Sequence, residues 1–287
     1  RTKAWVWDLN GFKGYPPAVQ VLTPVPDIFV SVNADQKEIR NNIKHNVSLG
    51  LNQVTPHETQ WNKEICLVTG GPSLKDTFDI IKKRKENGVP IVTVNGTYKY
   101  CIERGINPSA FIMLDSREFN HRFADPVIDG CKYLVASQCH PKIFDKLTDK
   151  DVWIWHCDTQ EENIDILRDQ YGKEYVDFFP IMGGSTVTLR ALHLLRILGF
   201  HKFEIFGFDS CIMGHHHAYD QPENDKEQEI DLVVGGKQFR CTVAHYHQAK
   251  EFVQLTGATG SNYDLIVHGN GLISHIIKNP ESLKEAA

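Results

Sequence analysis

Gly70-Gly71-Pro72-Ser73 stands where an apolar run, Ile65-Cys66-Leu67-Val68, gives way to Leu74, Phe78, Ile80 and Ile81 at helical spacing. A strand-to-helix turn of this kind brings backbone N–H groups and the positive end of a helix towards a phosphate. Glycine leaves room for that approach, so a branched side chain at Gly71 is expected to block a phosphate and leave the fold intact. The turn is not a Walker loop, since no Gly-Lys-Ser/Thr closes it. It is not a dinucleotide fingerprint either, since the third glycine is missing. The same residues also fit a plain turn with a serine cap.

Two further apolar runs end in Asn95-Gly96-Thr97 and Asp115-Ser116-Arg117. Asn95 can hold a ribose hydroxyl or a phosphate oxygen, and Asp115 a ribose or a divalent metal. Both also fit Asx turns. Gly183-Gly184-Ser185-Thr186 opens the strongest helical pattern, 185–198, and makes either a second anion-binding N-terminus or a simple N-cap. Three histidines are candidates for moving a proton. His217 lies in the run His215-His216-His217-Ala218-Tyr219; His245 and His247 begin a helical stretch over 245–255. Residues two apart on a helix point about 200° apart, so only one of that pair can face a given crevice. Asp209 could orient such a histidine. Consecutive histidines do not easily share one metal ion, and most of the fourteen fit surface or capped core positions.

The elements that must position these groups alternate. Strands are expected at 65–69, 90–94, 110–114, 133–136, 152–155, 203–206 and 265–267, and helices at 74–86, 98–104, 141–147, 185–198 and 245–255. That pattern predicts an α/β, Rossmann-like fold: a mostly parallel sheet with helices on both faces. Ligands in such sheets bind beyond the strand carboxyl ends. Residues 70–73, 95–97, 115–117, 137–140, 183–186 and 209–219 all fall there. Residues 1–60 are expected to form a small N-terminal extension or subdomain with a helix over 34–49, and 61–287 the Rossmann-like domain. The acidic stretch 220–231 is expected to be a solvated loop.

Composition narrows the classes. Of 287 residues, 41% are hydrophobic and 23% charged, as in ordinary globular proteins. A net charge of −5 argues against nucleic-acid binding by bulk charge. No apolar run approaches a membrane span in length. The seven cysteines are scattered and form no Cys-x-x-Cys pair, so they are expected to be free thiols, mostly buried, in a reducing cytoplasm.

Taken in order, these blocks resemble the superfamily of bacterial sialyltransferases with a single Rossmann-like domain, flagellin motility accessory factors and archaeal 6-hydroxymethylpterin diphosphokinase-like proteins. Residues 68–75 resemble its glycine-rich nucleotide turn, 93–97 and 111–117 its second- and third-strand motifs, and 183–209 its helix and Gly-x-Asp block. Ala218-Tyr219 resembles the aromatic loop that follows, and 245–252 the helix after the catalytic histidine. The resemblance covers about residues 64–278. Sialyltransferases carry Asn at the places of Gly70 and Asp115, so Asp-Ser-Arg, Gly-Gly-Ser-Thr and His-Ala-Tyr stand closer to the other two branches.

The resemblance implies a cytoplasmic nucleotide-dependent transferase, foremost a glycosyltransferase using a nucleotide-activated sugar. In that reading Gly70, Gly71, Pro72, Ser73, Asn95, Gly96, Thr97, Asp115, Ser116, Gly183, Gly184, Ser185, Thr186 and Asp209 surround the nucleotide. His245, His247 or His217 deprotonates the acceptor, and Tyr219 hydrogen-bonds the leaving phosphate. The alternative is pyrophosphoryl transfer from ATP to a hydroxymethyl heterocycle, with Asp115 on Mg²⁺ or Mn²⁺. A non-catalytic nucleotide-binding module is the third reading. The acceptor stays open among glycan, protein, small heterocycle and modified nucleic acid, and the chain is compatible with a homo-oligomer.

Overall fold

The computed structural model describes residues 19–21, 34–57, 61–174, 177–221, 227–258 and 264–279. A short strand β1 (Val19–Val21), helix α1 (Gln36–Val47) and a two-residue strand β2 (Asn52–Gln53) come first. Strands and helices then alternate: β3 (Trp61–Val68), α2 (Leu74–Glu86), β4 (Ile91–Val94), α3 (Thr97–Ile102) and β5 (Ala110–Met113). A 3₁₀ segment (Glu118–Ala124) leads to β6 (Lys132–Ala136), α4 (Lys142–Lys146), β7 (Val152–Cys157), α5 (Glu161–Tyr171), β8 (Pro180–Ile181), α6 (Val187–Ile197) and β9 (Phe200–Phe206). A hairpin of β10 (Glu229–Val234) and β11 (Lys237–Thr242) runs into α7 (Val243–Ala258); β12 (Asp264–Val267) and α8 (Leu272–Lys278) follow.

The main sheet has nine strands in the order β12-β9-β3-β4-β5-β6-β7-β2, with β8 also on β7. Every pairing in it is parallel. Strand β3 lies between β4 and β9, so the chain's direction of travel across the sheet reverses there, which opens a crevice at the carboxyl edge. Alternate residues of β3 face opposite ways. Cys66 and Val68 pack with Leu74, Phe78 and Ile81 of α2, while Ile65 and Leu67 pack in the cluster holding Leu189, Leu192 and Leu195 of α6. Both faces are thus covered, as the continuous apolar strands require. The α/β Rossmann-like expectation holds.

Three features go beyond the expected pattern. Strands β1, β10 and β11 form a separate antiparallel sheet. Its Gly235-Gly236 turn has both residues at positive φ (53° and 74°), the geometry of a tight hairpin. The expected loop at 220–231 therefore ends inside β10, and 222–226 lie outside the described residues. Helix α5 was not anticipated. Its buried Ile164 and Leu167 meet Ile39, Ile43 and Val47 of α1. Helix α1 is tied down further by two buried asparagines. Asn42 Nδ2 donates to Ser116 O (3.3 Å) and Gln138 O (3.1 Å), and Asn46 Nδ2 to Ser137 O (2.8 Å) and Cys139 O (2.7 Å). Residues 1–18, 22–33 and 58–60 of the expected N-terminal unit lie outside the described residues.

All seven cysteines are free and buried. Burial pushes the thiols of Cys66, Cys101 and Cys131 up to about 12. Among the described residues no helix is long and apolar enough to cross a membrane.

Buried histidines set a pH response. His156 is 1% exposed, and burial lowers its pKa from 6.5 to about 3. His193 falls to about 4, through burial first and then Arg190 and Arg196. Each is neutral when folded and takes up a proton near pH 6.5 when unfolded, so the stability they contribute is full above that pH and lost as pH falls towards 4. Asp158 and Asp209, whose carboxyls burial raises, act with the opposite sign from the carboxylate range upward. Thermal unfolding should therefore show Tm falling from pH 7 to pH 5; a flat or rising Tm would contradict this.

Candidate functional site

The carboxyl ends of the strands open onto one cleft of about 710 Å³. Gly70, Gly71 and Pro72 line it after β3, Asn95 after β4, and Asp115, Ser116 and Arg117 after β5. Gly184, Ser185 and Thr186 line it ahead of α6, Asp209 after β9, and His217, Tyr219 and His245 also line it. Five expected residues stand outside the lining: Ser73, Gly96, Thr97, Gly183 and His247. Thr97 is fully buried. Its hydroxyl accepts from Val94 N–H (2.9 Å) and points at the Val68 and Val94 carbonyls (2.9 and 2.8 Å), joining the ends of β3 and β4. A Cβ on Gly183 would meet Leu189 O at 2.9 Å. As the helical spacing requires, His245 faces the cleft and His247 does not.

Two N–H groups of the first glycine turn are already engaged within the protein. Gly71 N–H donates to Gly207 O (2.6 Å), Ser73 N–H to Asp209 Oδ2 (2.8 Å), and Pro72 has none. The carboxylate of Asp209 sits where a phosphate would be expected, at the start of α2. Asp209 is 2% exposed. Burial raises its carboxyl, against hydrogen bonds from Ser73 that lower it. Gly71 is small for the same internal reason, since its Cβ would stand 2.4 Å from both Gly207 O and Asp209 Oδ2. The expectation that a branched side chain there spares the fold is therefore overturned.

The second glycine turn is likewise occupied. Glu251 of α7 accepts from Ser185 N–H (3.0 Å) and Ser185 Oγ (2.7 Å) ahead of α6. Gln248, one turn earlier, bridges the two halves: Ser210 Oγ donates to its Oε1 (2.7 Å) and its Nε2 to Thr186 Oγ1 (2.9 Å). Arg190 spends its guanidinium on backbone carbonyls, of Gly184 (2.8 Å), Asp158 (3.0 Å) and Ile181.

Side chains remain to meet a ligand. Tyr219 packs its ring against the first two strand-end turns. A Cβ on Gly70 would reach its hydroxyl at 2.8 Å, and one on Gly96 its ring at 2.6 Å. These glycines thus make room for Tyr219. Burial drives its phenol well above the ordinary value, so it stays a proton donor. Its ring stacks on that of His217 (5.9 Å, 22°). Asn95 takes a left-handed conformation (φ 45°), which asparagine tolerates, and its Oδ1 faces Leu114 N–H at 3.5 Å.

His245 has its proton placed by helix capping. Thr242 Oγ1 accepts from His245 N–H (3.1 Å), and His245 Nδ1 accepts from Thr242 N–H (3.3 Å). This is a reciprocal capping box with His where Glu or Gln normally stands. The ring proton is left on Nε2. Burial, with His217 and His216 beside it, holds the pKa down to about 3. The imidazole is neutral and presents a donor, which suits it to bind an oxyanion and not to take a proton at Nε2.

Asp115 is committed to Arg117. The guanidinium forks onto both carboxylate oxygens (3.0 and 2.6 Å), and Arg117 N–H adds a third bond to Oδ1 (3.0 Å). No group of three or more His, Cys, Asp or Glu side chains among the described residues could hold a metal ion.

A family model described as MptE-like, 6-hydroxymethylpterin diphosphokinase MptE-like, matches residues 37–215, more than half of the chain. No curated protein matches it. Among solved structures, the MAf glycosyltransferase from Magnetospirillum magneticum AMB-1 is similar over 90% of this chain, with a TM-score of 0.63 and 12% identity. The chain spans 43% of that protein's length, and the likeness is one of fold. A mammalian sialyltransferase in complex with Gal-beta-1-3GalNAc-ortho-nitrophenol is similar over 84% of this chain and 81% of its own, at 11% identity and a TM-score of 0.40, too remote to carry an argument. The 6-hydroxymethylpterin diphosphokinase-like branch of the resemblance read from the motifs holds.

Gly71→Ala should destabilise the fold by about 1–3 kcal/mol, because the added methyl overpacks the contact with Gly207 and Asp209. Urea unfolding checks this; a midpoint equal to the parent's would show that the turn has slack.

Proposed function

We propose that this chain, which belongs to the MptE-like family, is a nucleotide-dependent transferase that moves a sugar from a nucleotide-activated donor to an acceptor hydroxyl. The observation that carries this reading is the chemistry of the cleft. It pairs neutral hydrogen-bond donors, Tyr219 and His245, with a histidine, His217, and one strand-end carboxylate, Asp115, is already neutralised by Arg117. Such a site suits a leaving phosphate stabilised by donors and an acceptor deprotonated by a base.

In the proposed reaction the acceptor oxygen attacks the anomeric carbon and His217 takes its proton. The bond between that carbon and the phosphate oxygen breaks. The nucleotide leaves with the electron pair, its new negative charge met by Tyr219 O–H, His245 Nε2–H and Asn95. Gly70, Gly71 and Pro72 floor the cleft beneath it. Asp209 and Glu251 hold the two glycine turns in shape and stay off the ligand.

The family match favours a second reading, pyrophosphoryl transfer from ATP to a hydroxymethyl heterocycle. There the hydroxymethyl oxygen would attack the β-phosphorus and AMP would leave. A thermal-shift panel of CMP-, UDP- and GDP-sugars against ATP, with and without Mg²⁺, separates the two. Ligand at about 100 times Kd stabilises by about 2.7 kcal/mol. A nucleotide sugar should stabilise without Mg²⁺; stabilisation by ATP alone, and only with Mg²⁺, would move the assignment to pyrophosphoryl transfer. No response to any nucleotide, and no turnover, would leave a non-catalytic module.

The histidine roles are separable with the donor that panel selects. Gln keeps both functions of a neutral imidazole, an acceptor for Thr242 N–H and a donor towards the cleft. His245→Gln should therefore keep kcat within about tenfold, while His245→Ala loses roughly 10²–10³-fold. His217→Ala should lose roughly 10²–10⁴-fold with nucleotide binding kept. Equal losses for His245→Gln and His245→Ala would return the base role to His245.

A further inference from the structure

Gln248 of α7 lines the cleft and reaches two of its walls at once. Its Oε1 accepts from Ser210 Oγ (2.7 Å), past the end of β9, and its Nε2 donates to Thr186 Oγ1 (2.9 Å), ahead of α6. An amide suits that task, because it offers an acceptor to one hydroxyl and a donor to the other. It also adds no third carboxylate to Asp209, next in the chain to Ser210, and Glu251, one turn further along α7. We propose that Gln248 is a positioning residue: it straps α7 to both walls, holds Ser210 in a left-handed conformation, and so keeps His245 at the cleft.

Ser210 is buried, and its φ is 48°. Serine seldom takes that conformation, and a residue persists in it only where its surroundings fix it. Here Gln248 fixes the hydroxyl, and the carbonyl receives Cys241 Sγ–H (3.3 Å) from β11. The residue before it is Asp209, whose carboxylate accepts Ser73 N–H at the start of α2. One side chain of α7 thus bears on the starts of α2 and α6.

The cap at Thr242 fixes the ring of His245 on its own helix. It does not fix that helix in the cleft. Gln248 follows His245 by about one turn, and Glu251 follows Gln248 by another. Both bind the wall ahead of α6, at Thr186 and Ser185, and of the two Gln248 also reaches the β9 wall. Burial, with His217 and His216 beside the ring, holds His245 down to about 3, so a helix that lifts from the walls lets water raise it. Glu229 stands 3.8 Å from His216 with Arg240 on it, and Glu227 and Asp209 line the same cleft. The positioning follows from these contacts, and its catalytic consequence rests on the transferase reading.

The test reads the His245 ring and needs no ligand. Imidazole NMR resonances are followed from pH 4.5 to 8 in the parent, Gln248→Leu, Thr186→Val and the double variant. His245 is assigned by its absence in His245→Gln, and Tm checks that each variant folds. The parent ring should stay neutral throughout. Both single variants should bring a His245 midpoint into that range, and the double variant should go no further than Gln248→Leu, because a strap needs both ends. A silent His245 in the folded variants, or a double variant that shifts by the sum of the two, would overturn the strap. Should Gln248→Leu not fold, Thr186→Val decides alone. Turnover with the donor chosen by the thermal-shift panel is read separately: Gln248→Leu should lower kcat roughly 10–10²-fold and keep KM for the donor. The His245 shift, with no turnover of any donor even by the parent, would keep the strap and overturn the transferase reading. A silent His245 with unchanged turnover in Gln248→Leu would overturn the strap and keep that reading.

Discussion

One buried hydrogen bond organises the carboxyl edge of the sheet: Asp209 Oδ2 accepting from Ser73 N–H at 2.8 Å. It joins the end of β9 to the start of α2 across the point where the strand order reverses. The Asp209 carbonyl then receives Leu272 N–H (2.8 Å), so α8 starts from the same residue. Four glycines pack around this node. A Cβ on Gly71, Gly207, Gly269 or Gly271 would come within 2.3–2.5 Å of Asp209 Oδ2 and Gly207 O, Thr69 O, Ser73 Oγ or Asp209 Cα respectively. A carboxylate at a helix N-terminus is favourable in itself, because it meets unpaired N–H groups and the positive end of the helix. Here it also determines what the ligand cannot do.

Two of the helix N-termini at the cleft carry the protein's own anion, Asp209 at α2 and Glu251 ahead of α6. A phosphate seated on either would need to displace a carboxylate already hydrogen-bonded there. In the proposed reading, binding falls to side chains at the cleft, above all Tyr219, Asn95, His217 and His245. Tyr219 depends on Gly70 and Gly96 for its place, and His245 on the cap of α7 for its proton. The same contacts that hold the fold thus set the protonation and direction of the groups that face a ligand.

The main sheet was legible in the sequence because parallel strands buried on both faces read as plain apolar runs. That the polar turns share one edge followed from the alternation alone. The hairpin was missed although Ile230, Leu232 and Val234 alternate into its core and a Gly-Gly pair turns it; the acidic residues ahead of it masked the period. Helix α5 was missed because only Asn163, Ile164 and Leu167 of its eleven residues are buried, too few to draw an apolar face. The site's internal bonds could not be read locally. Ser73 and Asp209 are 136 residues apart, and Ser185 and Glu251 are 66 apart. The cap on His245 is local, but Thr-x-x-His is not the pattern by which capping boxes are recognised. Gly70 and Gly71 read in the sequence as room for a phosphate; the structure adds a reason inside the protein, since a Cβ there would crowd Tyr219 at Gly70 and Gly207 and Asp209 at Gly71.

The position of a bound phosphate decides the central claim. A crystal structure with inorganic pyrophosphate should show the phosphorus atoms among Asn95, Tyr219 and His245, with Asp209 still on Ser73 N–H and Glu251 still on Ser185. A phosphate seated on the Ser73 or Ser185 N–H, with its carboxylate swung away, would contradict it.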